Sequence, residues 1–248
     1  MFSVVVEFPG AAPALTDLTA KEFLLRHASG AYTTARTVNR KSVFEFDTHI
    51  ARLVTSLGRM TPPVHTDVAA VERLMVPMVV AALQTYISAD PQGREMKVTM
   101  LMHDLGEKGA SVHVSDLFEH SSTPCVIDVH GAPRSNPAAK DSQWVRDRQS
   151  LEQLKSPDAN DMVLQDDLGR LYEGLQSNFF VVLNDRLVTA PEGSVLRGTV
   201  QSVVLQVAKE NGIPVDLDFP RLVDAPLWSG AFLTGVLGSL FSFIVSVV

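Results

Sequence analysis

The 248-residue chain is short of three things. It has a single cysteine, Cys125, so no disulfide can close within it, and a reducing, cytoplasmic setting is expected. It has no excess of basic side chains. The 21 Lys and Arg face 28 Asp and Glu, giving a net charge of −7, which excludes the clustered positive surface of a nucleic-acid binder. After Asp224 it has no formal charge at all, since residues 225–248 contain no Asp, Glu, Lys or Arg. What is present is core material: 46% hydrophobic and 20% charged residues suit one large folded domain or two smaller ones.

Several reaction signatures are absent as well. There is no Gly-x-Gly-x-x-Gly after a strand, no Gly-x-x-x-x-Gly-Lys-Ser/Thr, no His-Glu-x-x-His and no Gly-x-Ser-x-Gly. The seven histidines are scattered, which leaves no metal site to expect and reads each ring as solvated or hydrogen-bonded. Cys125 lies in an apolar run and reads as a buried strand residue rather than a nucleophile. The apolar start, Phe2 to Val6, is interrupted by Glu7 and has no basic residue before it, so no secretory signal is expected.

The pattern along the chain is mixed helix and strand. Thr19-Ala20-Lys21-Glu22 has capping-box spacing ahead of Phe23, Leu24 and Leu25. Two strands joined by a turn at Asn39-Arg40-Lys41 are predicted within Ala31 to Phe46. Asp47 then caps a helix with Ile50, Leu53 and Leu57 on one face. A longer apolar helix spans Val68 to Ile87, kinked or split at Pro77. Met96–Met102 and Ala110–Val114 pair about a turn at 104–109, and the polar stretch 119–124 is the linker. Past it come a strand at Cys125–Val129, a helical stretch from Ser142 to Leu154 and a strand at Met162–Leu164. A hairpin turning at Asn184-Asp185 follows, and then a helix whose C′ residue is Gly212. The domains are therefore 1–118 and 125–248.

Four segments stand in a telling order. They are His49-Ile50-Ala51-Arg52-Leu53, then Lys140, then Glu173-Gly174-Leu175-Gln176-Ser177-Asn178-Phe179, then Thr189 with Leu196-Arg197-Gly198-Thr199-Val200. In these, from about Gly30 to about Gly235, the chain resembles the class IV pyridoxal-phosphate enzymes: branched-chain and D-amino-acid aminotransferases and aminodeoxychorismate lyases. The resemblance implies a two-domain α+β fold of type IV, with the cofactor at the domain interface. It implies pyridoxal 5′-phosphate joined to Lys140, with Glu173 at the pyridine nitrogen and Asn178 beside it. Arg52, Thr199 and Val200 would hold the phosphate, and Leu196 would pack on the ring. A guanidinium grips phosphate in a fork that lysine lacks, and a helix N-terminus favours an anion.

Where the chain departs from the family pattern, the reading changes. Val145 stands five residues after Lys140, where many relatives have tyrosine, and Val236 stands where a hydroxyl residue is expected after Phe232-Leu233-Thr234-Gly235. Arg36 and Lys97 occupy positions near those that bind substrate in some members. The uncharged tail reads as a core strand with an aberrant end in preference to a membrane anchor. The implied activity is transamination between an amino acid and a 2-oxo acid by a homodimer. An aminodeoxychorismate-type lyase is the first alternative, and an inactive homologue with a binding or structural role is the second.

Overall fold

The computed structural model describes residues 2–8, 10, 12–103, 109–117, 126–236 and, through their backbone alone, 238–242. Cys125, the 119–124 stretch and the turn at 104–108 lie outside the described residues. The chain divides into two compact units: Met1–Phe118 with Ala139–Asp147, and Glu119–Ala138 with Arg148–Val248. A cut at residue 125 would assign Lys140 to the second unit, whereas its segment packs with the first.

In the first unit, β1 (Ser3–Phe8), β2 (Ala14–Thr16), β3 (Ala31–Val38), β4 (Ser42–Val43), β5 (Met96–Met102) and β6 (Ala110–Asp116) form an antiparallel sheet in the order β2-β1-β6-β5-β3-β4. Strand alternation sends Val4, Val6, Ala31, Ala35, Val98 and Met100 to one face, under α2 (Phe46–Leu57) and α3 (Val68–Ala89). It sends Val5, Tyr32 and Leu101 to the other, where they meet Phe23 and Leu24 of α1 (Ala20–Arg26) and Val145 of α4 (Gln143–Asp147). Val145 is thus a core residue, 1% exposed. The Thr19–Glu22 capping box forms as expected.

Two expectations are corrected. Asp47 is not the cap of α2: the N-cap is Glu45, held left-handed at φ 50° while its carboxylate accepts from the Thr48 hydroxyl at 2.8 Å. Pro77 does not split α3, which runs unbroken for 22 residues from its cap Asp67. Proline is exposed there, so the carbonyl it leaves without an amide can meet water, while Met75, Met78 and Val79 beside it are buried. The helix is long and apolar enough to cross a membrane, yet Val71, Met75, Met78, Val79, Ala82 and Tyr86 anchor it in this core.

The second unit is built on β7 (Ile127–Val129), β8 (Asp161–Gln165), β9 (Leu171–Gly174), β10 (Asn178–Leu183), β11 (Arg186–Thr189) and β12 (Val215–Leu217). These run in the order β12-β11-β10-β9-β8-β7, with β13 (Gly230–Gly235) on β10 and β14 (Gly238–Ser242) on β13. Two pairs, β7·β8 and β11·β12, are parallel. Ile127, Val163, Phe179, Val181 and Leu233 fill its core. The hairpin turn has Asn184 at φ 52° and Asp185 at φ 58°, the pair of left-handed residues that matches strand twist. The helical stretch after Ser142 is two short helices, α4 in the first unit and α5 (Gln149–Leu154) in the second. The helix α6 (Thr199–Glu210) ends at Asn211, leaving Gly212 at C′ with φ 66°.

Candidate active site

In the first unit, the i, i+3 spacing on α2 sets His49 and Arg52 on one face, opposite Thr33 of β3. His49 is fully buried, and its Nδ1 lies 2.7 Å from Thr33 Oγ1. Arg52 Nη2 donates to the same Thr33 oxygen at 2.5 Å and lies 3.0 Å from His49 Nδ1. The Arg52 Nε is shut off from solvent without a partner, and among the described residues neither hydrogen-bond partner of the guanidinium is anionic. Burial pulls the Arg52 pKa down to about 10. Burial, then the charges of Arg52 and Lys140, pull His49 down to about 2, so its ring is neutral.

Lys140 reaches this strand from outside the sheet. Its amide donates to Ser56 Oγ at 3.0 Å, and its carbonyl accepts from Tyr32 N at 2.9 Å. Ser142 fastens the segment further, its amide bonding Gly30 O and its hydroxyl accepting from Gly30 N. A Cβ on Gly30 would fall 2.4 Å from Met102 O, which is why this close crossing needs glycine. The Lys140 ammonium sits 4.7 Å above the Tyr32 ring centre. Arg36 and Lys97 are register partners on β3 and β5, on the Tyr32 face of the sheet.

In the second unit, Glu173 and Asn178 face each other across β9 and β10, with Thr234 of β13 opposite Asn178 on its other side. Together they grip the Leu196 peptide. Glu173 Oε2 accepts from Leu196 N at 3.1 Å, and Asn178 Nδ2 donates to Leu196 O at 2.7 Å. Glu173 Oε1 stands 3.5 Å from Arg134 Nη1, both side chains being 6% exposed. Gly198, N-cap of α6, packs so tightly that a Cβ would lie 2.0 Å from Asn178 Oδ1. Thr199 and Val200 follow in the first turn, and the Thr199 hydroxyl is buried without a partner, as is that of Thr234. The turn between Glu173 and Asn178 is clamped by Asp161. Its carboxylate accepts from Ser177 Oγ at 2.6 Å and from the amides of Met162 and Leu175. Burial pushes the Asp161 pKa up.

The structure therefore brings Arg52 and Lys140 to one end of β3, and Glu173, Asn178, Leu196 and Thr199 to one end of the second sheet. Four partners of these residues escape sequence reasoning. His49 and Thr33 support Arg52, Arg134 pairs with Glu173, and Asp161 closes the turn. Only His49 left a signal, its helical spacing from Arg52. No cluster of three metal-ligating side chains occurs among the described residues. A cleft of about 600 Å³ in the second unit, floored by Val181, Val188 and Trp228, contains none of the predicted site residues.

Comparison with known proteins adds three findings. The family described as amino-transferase class IV matches residues 30–243. A Methanocaldococcus jannaschii protein provisionally named a branched-chain-amino-acid aminotransferase is 34% identical over 101 residues, 40% of this chain and 35% of that one. The match thus spans about a third of the length of that curated relative. Two solved structures share the fold. The branched-chain aminotransferase of Thermoproteus uzoniensis, determined with norvaline, superposes with a TM-score of 0.74 at 17% identity, covering 100% of this chain and 88% of that one. A Brucella abortus aminotransferase bound to pyridoxal phosphate gives 0.73 at 15% identity, covering 98% and 91%.

Proposed function

The chain belongs to the class IV amino-transferase family, and from that premise we propose that it binds pyridoxal 5′-phosphate and moves an amino group between an amino acid and a 2-oxo acid of branched-chain or D-amino-acid type. The observation that carries this reading is Arg52. A guanidinium with a pKa of about 10 keeps its charge at neutral pH, and here it has a shielded Nε and, among the described residues, no anionic hydrogen-bond partner. An uncompensated buried charge is costly, and a phosphate supplies what it lacks.

Bound in this way, pyridoxal phosphate supplies an electron sink for the bond that breaks at the substrate α-carbon. Lys140 is the amine that would hold the cofactor, its Nζ condensing with the cofactor aldehyde as water leaves, and the same Nζ would carry the proton of that carbon. Glu173, 3.5 Å from Arg134, is the carboxylate that would hold a proton on the pyridine nitrogen. The grip of Glu173 and Asn178 on the Leu196 peptide fixes the backbone of the residue that would pack on the ring. Arg36 and Lys97, adjacent cations on one face, take the substrate carboxylate. The working form is a cytoplasmic homodimer.

The test is the purified chain with added pyridoxal phosphate, followed by borohydride reduction and peptide mass analysis. The expected result is a cofactor mass on Lys140, absent from a Lys140→Ala variant, and amino transfer in a panel of amino acids with 2-oxo acids. A wild-type chain that retains no cofactor would be an inactive homologue. Pyruvate release without a 2-oxo acid would replace transamination by a lyase reaction.

A further inference from the structure

Arg52 is held in an unusual way for a buried cation. Its supports are a hydroxyl and a neutral ring, and the hydrogen bonds fix which atom donates. Arg52 Nη2 donates to Thr33 Oγ1, so the one hydroxyl proton of Thr33 is left to His49 Nδ1. Arg52 Nη2, a donor, also lies 3.0 Å from His49 Nδ1, so the tautomer that fits presents Nδ1 as an acceptor and carries its proton on Nε2, which is buried without a hydrogen-bond partner among the described residues. A carboxylate in place of either support would neutralise the guanidinium. A hydroxyl and a neutral imidazole orient it and leave its charge to a ligand.

Resting on the phosphate reading of Arg52, we propose that Thr33 and His49 are positioning residues that set the affinity of this site for a phosphate group. They act through Arg52 and do not touch the ligand. Neutral His49 is what lets the pair hold a cation: a protonated ring would turn an N–H toward both donors. Burial together with the charges of Arg52 and Lys140 keeps it neutral. Thr33 is fully buried on the face of β3 that also carries Ala31 and Ala35, so water does not compete for its hydroxyl.

The experiment compares dissociation constants for pyridoxal 5′-phosphate and for pyridoxal, which lacks the phosphate, in wild type, Thr33→Val, Thr33→Ser, His49→Phe and His49→Gln. Thr33→Val and His49→Phe should each lower the preference for the phosphorylated form about tenfold or more, the usual weight of a hydrogen bond to a charged group. Their affinity for pyridoxal should stay within about twofold of wild type, because the support acts on the phosphate end alone. Thr33→Ser keeps the hydroxyl and His49→Gln keeps an acceptor oxygen, and both should restore most of the preference. Equal weakening of both ligands, or an unchanged preference in Thr33→Val, would overturn the proposal. A wild type that binds both ligands equally would instead remove the phosphate from Arg52, and the support would fall with it.

Discussion

The two units hold their polar residues by opposite means. Around Arg52 the hydrogen-bond partners among the described residues are a hydroxyl and a neutral imidazole, so a buried positive charge sits there with no acid among those partners. Around Glu173 the charge is matched within the unit by Arg134 and the Leu196 amide, and the geometry is locked by Asn178, Asp161 and two glycines with no room for a Cβ. The first arrangement creates a demand for an anion. The second creates a fixed shape. Substitutions in the first should therefore change what binds, and substitutions in the second should change whether the unit folds.

Acid should expose this difference most strongly. His49 and His113 are both fully buried in the first unit, with folded pKa values of about 2 and about 4 against an ordinary 6.5, and His27 is shifted the same way. A folded pKa below the unfolded one means the unfolded chain binds the proton first. Stability is then intact above pH 6.5 and falls as the pH drops toward each folded value. At pH 5 the two rings should together remove roughly 4 kcal/mol, from 1.36 kcal/mol per unit of pH for each. In the second unit Asp161 has the opposite sign. Its raised pKa gives stability that is present at low pH and lost as the pH rises through the folded value. Amide exchange at pH 7 and pH 5 should show β3 and α2 losing protection while the Asp161 turn does not. Uniform loss across both units would break the comparison.

Gly198→Ala comes next. The new methyl would fall 2.0 Å from Asn178 Oδ1, and Asn178 cannot turn aside without releasing Leu196 O. Overpacking of this kind costs about 1–3 kcal/mol, readable as a lower urea midpoint at unchanged slope. Stability within ~0.5 kcal/mol of wild type would show that the shape of this corner is not fixed.

Much of this could be read from local residues. The Thr19–Glu22 box, the turns at Asn39-Arg40 and Asn184-Asp185 and the Gly212 cap are set by atoms within a few residues of each other. The order of Arg52, Lys140, Glu173 and Leu196 is legible because each lies in a short motif of distinctive residue types. What escaped depends on partners distant along the chain. Thr33 meets Arg52 across 19 residues, Ser177 meets Asp161 across 16, and the Lys140 amide meets Ser56 across 84. The Lys140 segment returns to the first unit because Gly30, Tyr32 and Ser56 offer it hydrogen bonds, which no local pattern announces. Pro77 escaped for a related reason: burial of its neighbours outweighs its local preference.

Arg52→Met carries the comparison into energetics. It removes a shielded cation that has no acidic hydrogen-bond partner among the described residues and keeps an apolar stem of similar length. The folded chain without ligand should be unchanged or stabilised by up to ~1 kcal/mol, since a lost desolvation penalty offsets two lost hydrogen bonds. Phosphate-dependent cofactor binding should be lost at the same time. A destabilisation above ~2 kcal/mol would mean that the guanidinium is part of the scaffold.

The smallest effect belongs to a pair in the second unit that looks strong on paper. Arg186 meets Asp216 through two parallel contacts, Nε to Oδ2 at 2.6 Å and Nη2 to Oδ1 at 2.5 Å. It joins the parallel neighbours β11 and β12, yet the side chains are 44% and 41% exposed. Water screens the attraction and ordering two long side chains costs entropy, so Arg186→Ala should cost only about 0.5–1 kcal/mol, less again at high salt. Arg134→Ala removes the same guanidinium from a buried partner, leaving Glu173 without its ion pair at 6% exposure, and should cost several-fold more. Equal losses for the two variants would show that it is the bidentate geometry, and not exclusion of water, that gives ion pairs in this unit their weight.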